Sequence, residues 1–443
     1  MTEYRGKWAP EGLVETLWGD GVRRTRTIIA LVYLAVSMLF LLDVYLDNAV
    51  TEVMRDRWED AQTLFGGEFP VTEYPPLSII FIAIPRLVGW TVWGYEIAWV
   101  AMMFVVFLVG LEMVNRIAAR LDYSPRRAMW MYAVLMIVMY EFVLDRFDAV
   151  AMVLALWSIL LFMEKRYRWA FVVLAAATLV KVYPAILFPV FLICLAHGEG
   201  IKAALKGFAA FAVTGAAVVA VCCLINPDII TNFLSYNTGR PLQIESVAAS
   251  PVYFLSRLGF SDWWIQAAGD VGSFGSVNVR GELADAVADA ILPLTIAATV
   301  LLWLLYLVKV RSGPRMDMRL LALACLASVL VFVTFNKVYS TQYTIWFYAP
   351  FMLIVMMSGR RFGDRTFLLM LAIAVLGLIN YQYSYKMHDS GFFTDEGMVV
   401  LLVRNIVHVA LTYVIVREIW RSGTGRDDPA EDIPDLSADA RSQ

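Results

Sequence analysis

The chain has 443 residues, of which 60% are hydrophobic and only 17% charged, against roughly a quarter charged in an ordinary soluble domain. That much apolar surface exceeds what a soluble core can bury, and apolar runs approaching the ~20 residues that a helix needs to cross a bilayer recur along the chain. A net charge of −3 leaves no broad basic face and argues against nucleic acid as a partner.

In chain order, residues 1–26 form a charged N-terminal segment, and the first apolar run, 27–46, follows it without a small-residue cleavage site. It reads as a retained helix rather than a signal peptide. The segment 77–90 is apolar but short and contains Pro85 and Arg86, so it is expected to lie along the membrane surface. Further spans are expected at 94–114, 128–144, 147–163, 169–182, 183–196, 206–225, 284–308, 318–335, 342–358, 366–381 and 397–416. The pair 169–182 and 183–196 is short for two full crossings and meets at Lys181-Val182-Tyr183-Pro184, the pattern of a broken or re-entrant helix. The expected fold is therefore all-α: a polytopic bundle of about twelve spans over 27–416, with a helical outer loop after the first span. The tail 417–443, rich in Asp, Ala, Ser and Gly, is expected to be disordered.

Lys and Arg cluster at 5–26, 116–127, 165–168, 202–206, 309–319, 360–365 and 417–441, on one side of such a topology. The positive-inside rule places both termini in the cytoplasm. The outer face of the cell membrane then receives 47–93, 226–283, 335–341 and 382–396. Cys194, Cys222, Cys223 and Cys325 lie in or beside apolar runs, with no CxxC pair and no histidine at ligand spacing, and read as small buried residues.

Four polar groups break the rules of a lipid-embedded chain, where an ionisable side chain at the bilayer centre costs about 2.5–3.5 kcal/mol. Asp145-Arg146-Phe147-Asp148 is the whole connection between two spans, either a self-neutralising cap or part of a site. Lys181 sits at a helix break whose freed backbone donors suit an anionic group such as a phosphate, unless it merely snorkels. The stretch Phe335 to Trp346, with Lys337, Tyr339 and Gln342, holds more donors than an aromatic belt needs. Arg404 lies about 10 Å inside the last run, on one face with His408. It must meet an anion there, a carboxylate or a ligand phosphate.

These segments resemble the GT-C membrane glycosyltransferases, specifically the polyprenol-phosphate-mannose-dependent mannosyltransferases that include the phosphatidylinositol-mannoside mannosyltransferases. The resemblance is carried in order by Gly67-Glu68-Phe69-Pro70, Glu73-Tyr74-Pro75-Pro76-Leu77, Arg146-Phe147-Asp148 and Lys181-Val182-Tyr183-Pro184. Arg240-Pro241-Leu242-Gln243-Ile244-Glu245-Ser246 and Asn336-Lys337-Val338-Tyr339-Ser340 follow, with Gln342, Tyr343 and Trp346.

The resemblance implies transfer of one sugar from a polyprenyl-phosphate donor to a lipid or glycan acceptor on the outer face, with mannose the favoured sugar. An acidic residue of the first outer loop would be the general base, and cations would stabilise the departing lipid phosphate. The family's aspartate, followed by a tyrosine a few residues on, has no match here, because 47–60 contains no tyrosine. Glu52 and Asp56 remain as alternative bases. Lys181, Lys337 and Arg404 are the expected phosphate ligands, Arg146, Asp148, Arg240, Tyr339 and Gln342 further substrate contacts, and His388 a proton-transfer candidate or a surface histidine. Neither a metal ion nor another cofactor is expected, since no His/Cys cluster or nucleotide-sugar Asp-x-Asp motif is present. A secondary transporter is the alternative, but it would place its polar groups near the midplane rather than at one rim.

Overall fold

The computed structural model of the chain describes residues 19–47, 49–70, 74–314, 316–382 and 395–422. The first helix, α1 (Asp20–Leu46), precedes a loop carrying a π-turn (Val53–Arg57), α2 (Trp58–Phe65) and the short α3 (Ser78–Arg86). Then come α4 (Val92–Arg120), α5 (Pro125–Val138), α6 (Tyr140–Asp145), α7 (Asp148–Met163) and α8 (Tyr167–Val180). A 3-10 turn (Tyr183–Ile186) leads into α9 (Leu187–Gly198), α10 (Ile201–Ile225) and α11 (Ile229–Thr238). After α12 (Ala249–Arg257) the chain closes with α13 (Glu282–Ser312), α14 (Met318–Thr334), a 3-10 turn (Thr341–Phe347), α15 (Tyr348–Met357), α16 (Arg360–Tyr381) and α17 (Asp395–Arg421).

Six of the described helices, α1, α4, α10, α13, α16 and α17, are long and apolar enough to cross a membrane. Shorter apolar helices pack among them: α7, α8 and α14 fall below the 18 residues of a full crossing, as does the run Tyr183–Gly198 that holds α9. The expected run 128–144 is interrupted at Met139, where α5 gives way to α6. The expected break between 169–182 and 183–196 is present at Lys181, whose backbone is extended (φ −151°, ψ 137°). Pro184 lacks the N–H that would bond the Val180 carbonyl, and its ring would crowd that carbonyl in a continuous helix, so the helix ends ahead of it.

Helix starts follow their sequence signals. Ser124 accepts the Arg127 N–H with Pro125 in the first turn, and Asp317 accepts the Leu320 N–H at 2.9 Å. Between lipid-embedded helices the hydrophobic drive is weak, so close packing and polar contacts carry association. Gly110 of α4 shows how close: a Cβ there would collide with the Tyr132 hydroxyl of α5.

The described residues are predominantly helical, as the all-α expectation has it, with one small sheet beside the helices. The segment 226–283 carries a three-stranded antiparallel sheet of β1 (Leu242–Gln243), β2 (Trp264–Gln266) and β3 (Asn278–Arg280), in the order β1-β3-β2. It has its own small core of Leu242, Ile244, Val252, Tyr253, Val277 and Val279, completed by Met398 and Leu401 of α17. Strands of two or three residues leave no readable alternation, so only their pairing reveals them.

Candidate active site

The connections 47–77, 145–148, 181–183, 239–246 and 335–341 meet at one end of the bundle, tied by backbone and side-chain bonds. The Leu77 N–H reaches the Leu179 carbonyl at 2.9 Å, and the Gln243 N–H reaches the Lys337 carbonyl at 2.9 Å.

Glu52 opens the first loop helix, and its side chain is 12% exposed. One oxygen, Oε2, pairs with the Arg146 guanidinium. The other lies 3.4 Å from the Tyr74 hydroxyl and 3.7 Å from Arg57 Nη2. Arg57, 2% exposed, also donates to Asp60 at 2.8 Å and lies over the Tyr74 ring. The loop is pinned from below by two carboxylates of other helices. Asp145 accepts the backbone N–H groups of Glu52 (3.4 Å) and Val53 (3.2 Å), while Thr51 donates to Glu96 at 2.8 Å and accepts the Met54 N–H at 3.0 Å. A carboxylate at a helix N-terminus meets both the unpaired donors and the positive end of the dipole. Burial raises the Asp145 carboxyl above the ordinary carboxylate range, although those backbone donors and Arg146 favour its charged form.

Beside Glu52 lies a second charge pair. Asp148, 1% exposed, accepts from Lys181 Nζ at 3.0 Å and from Trp346 Nε1 at 2.6 Å. Tyr74 joins the two halves, because the Lys181 ammonium lies 4.7 Å from its ring centre and Glu52 faces its hydroxyl. Trp346 stacks on Tyr183 (4.6 Å) and on Tyr343 (3.6 Å). Two carboxylates, two guanidinium groups and an ammonium are thus held within one aromatic frame, with the Lys181 side chain still 12% exposed.

Further round the rim, Lys337 Nζ donates to the Thr238 carbonyl at 2.7 Å, and Arg240 lies over the Tyr236 ring at 5.7 Å. Partial burial lowers the Lys337 pKa, and the neighbouring Arg240 lowers it further. The Arg240 Nε is buried without a hydrogen-bond partner.

Arg404 is placed differently. It is fully buried and bonds Glu245 through both the backbone carbonyl and Oε1 (3.4 Å), with its guanidinium 4.1 Å from the Tyr339 ring centre. Gln243 donates to Glu245 at 3.2 Å and to Ser340 at 2.7 Å, and accepts the Tyr339 N–H at 2.8 Å. His408 bridges Thr334 and Tyr339, with the Tyr339 hydroxyl 3.3 Å from Nδ1. This assembly fastens α17 to the connections 242–250 and 335–341.

Of the residues expected from sequence, Glu52, Arg146, Asp148 and Lys181 come together. Lys337 and Arg240 share the adjoining rim. Asp56 is more exposed, at 37%, and pairs with Arg55 at 2.7 Å and with Arg57 at 4.0 Å. Tyr339 and Arg404 belong to the sealed assembly, Gln342 is half-buried on the 3-10 turn, and His388 lies outside the described residues. Arg57 and Glu96 were not among the expected residues. The Asp145 cap on the loop helix was equally hidden, since its partners lie more than ninety positions away. Among the described residues no three His, Cys, Asp or Glu side chains gather in a way that could hold a metal ion.

The fold is that of a helical membrane bundle that holds carboxylates and cations in one aromatic-lined cluster at its rim. The chain belongs to glycosyltransferase family 87, whose profile matches residues 72–333, more than half its length. That span covers Tyr74, Arg146, Asp148, Lys181 and Arg240 but ends before Lys337. No curated protein matches the chain.

Proposed function

We propose that this glycosyltransferase moves one sugar, with mannose the favoured candidate, from a polyprenyl-phosphate donor to a lipid or glycan acceptor at the outer face of the cell membrane. In this reading both termini are cytoplasmic and about twelve segments cross the bilayer in a GT-C arrangement. The observation that carries it is the shared cluster of Glu52 with Arg146 and of Lys181 with Asp148, joined by Tyr74. The transfer needs a base for the acceptor and a cation for the leaving phosphate, and in this reading Glu52 supplies the one and Lys181 the other, joined through Tyr74.

In the transfer, an acceptor oxygen forms the new bond to the anomeric carbon as the bond from that carbon to the phosphate oxygen breaks. The acceptor proton passes to Glu52, and the electron pair leaves with the polyprenyl phosphate. Glu52 is favoured over Asp56 because it is the more buried of the two and pairs with Arg146 as well as Arg57, while Asp56 is held chiefly by the exposed Arg55. Lys181 meets the departing phosphate, and Lys337 and Arg240 extend the cationic wall. Asp148 and Trp346 position Lys181, and Asp145 positions the loop that bears Glu52. Arg404 acts on substrate only through the connections it holds, which makes it a positioning residue.

The test is incubation of the purified protein in lipid with labelled polyprenyl-phosphate sugars and a membrane-lipid extract. A new labelled glycolipid is expected with the wild type and lost with Glu52→Gln. Labelled product from nucleotide sugars alone, or unchanged product with Glu52→Gln, would overturn the reading.

A further inference from the structure

Two grooves on the bundle surface differ in charge. One, of about 530 Å³, is lined by Val36, Phe40 and Leu46 of α1 with Ile137, Tyr140 and Leu378, and its ionisable group is Asp43. The other, of about 440 Å³, lies between α9, α10 and α13 at the end away from the candidate active site. Its walls include Leu192, Ile193, Leu205 and Phe208, and its ionisable groups are His197 and Arg311. Both volumes fall within the ~300–1,000 Å³ of ordinary ligand clefts.

We propose that the second groove is a binding site for an anionic phospholipid, with an acyl chain between α10 and α13 and the headgroup phosphate held by His197 and Arg311. Depth supports the placement. His197 is in the last turn of α9, Ile201 starts α10, and Arg311 is in the last turn of α13, so the cationic rim is at the helix ends. Phe208, seven residues into α10, lies about 10 Å deeper, and it is half-exposed beside the exposed Leu205. The groove is therefore polar and cationic at headgroup level and apolar at acyl depth.

Three features at the rim suit a phosphate. The His197 Nε2 is buried without a hydrogen-bond partner. Arg311 is exposed at the same rim, able to present a forked donor. The 25-residue α10 is preceded by Gly200 (φ 92°) and has no side-chain cap, so the positive end of its dipole faces the same rim. Neighbouring Lys202 adds positive charge, while Glu199 on the same turn is turned to the Tyr167 hydroxyl at 3.1 Å. A zwitterionic headgroup would bring its own cation against these groups, so the charge selects the anionic class.

Native mass spectrometry of the delipidated full-length protein tests this, with phosphatidylglycerol and phosphatidylcholine of identical chains as probes. Phosphatidylglycerol should be retained about tenfold more strongly or better, the scale of one or more charge-assisted hydrogen bonds. His197→Ala combined with Arg311→Gln should erase that preference, and Phe208→Trp, which fills the groove without touching a charge, should weaken retention of both lipids. Glycerol phosphate, a headgroup without chains, should not compete. Equal retention of the two lipids, an unchanged preference in the double variant, or full competition by glycerol phosphate would each overturn the proposal. Should the double variant fail to fold, Phe208→Trp decides: undiminished retention would refute the groove. Sugar transfer plays no part in these readouts, so their failure leaves the catalytic reading untouched.

Discussion

Two buried-charge assemblies stand side by side at one end of the bundle, and they differ in how their cations are used. Around Arg404 the guanidinium is fully buried and bonds Glu245, Tyr339 and Asn405. Around Lys181 and Glu52 the charges are paired but still partly open, each side chain 12% exposed. A sealed pair holds elements together, whereas an open pair retains the capacity to exchange one partner for a substrate group. Charge at a membrane rim therefore does not identify a site until access is known.

The contrast breaks most visibly at Glu52. Glu52→Gln keeps the size and removes the base, and transfer should fall by about 10²–10⁴-fold, while Asp56→Asn should stay within a few-fold of wild type. Comparable losses in the two variants, measured as labelled glycolipid formed per minute, would erase the distinction between the more buried and the more exposed carboxylate. Next comes the sealed assembly: Arg404→Met removes the buried counter-charge of Glu245 and leaves it neutral donors such as Gln243 and Thr341, which should lower stability by about 3–5 kcal/mol. Denaturation in detergent micelles measures this, and a loss of donor binding at full stability would instead move Arg404 into the substrate site.

Lys181→Gln retains a hydrogen-bond donor for Asp148 but removes the charge, so donor affinity should drop by about 10- to 100-fold with the fold intact. Equilibrium binding of a labelled polyprenyl phosphate gives the number. Trp346→Phe removes the indole N–H that reaches Asp148 and shrinks the ring stacked between Tyr183 and Tyr343, and should weaken donor binding by about tenfold or less; a complete loss would mean that the stack itself touches substrate.

The smallest effect is in the pH response of Lys337, whose pKa burial and Arg240 lower. Raising pH through that window neutralises the ammonium earlier than in an unfolded chain. Folded stability gains slightly there, because a burdened charge is relieved, while affinity for a phosphate falls. Lys337→Arg should flatten the alkaline decline in donor binding; an identical decline in that variant would assign it to another group.

The sequence alone carried the membrane character, the helix break at Lys181 and the motifs that hold Arg146, Asp148 and Lys181, because apolar length, proline chemistry and charge in lipid are local properties. It identified Glu52 and Asp56 as acidic candidates without separating them: four residues apart, they differ only in which way the loop helix is turned. The tertiary structure decided that turn through Asp145 and Glu96, carboxylates on other helices that grip the loop at Glu52, Val53 and Thr51. It also decided which carboxylate Arg404 meets, Glu245, and that three short strands pair within 226–283. Each of these depends on partners distant in the chain, and local composition carries no record of which partner arrives.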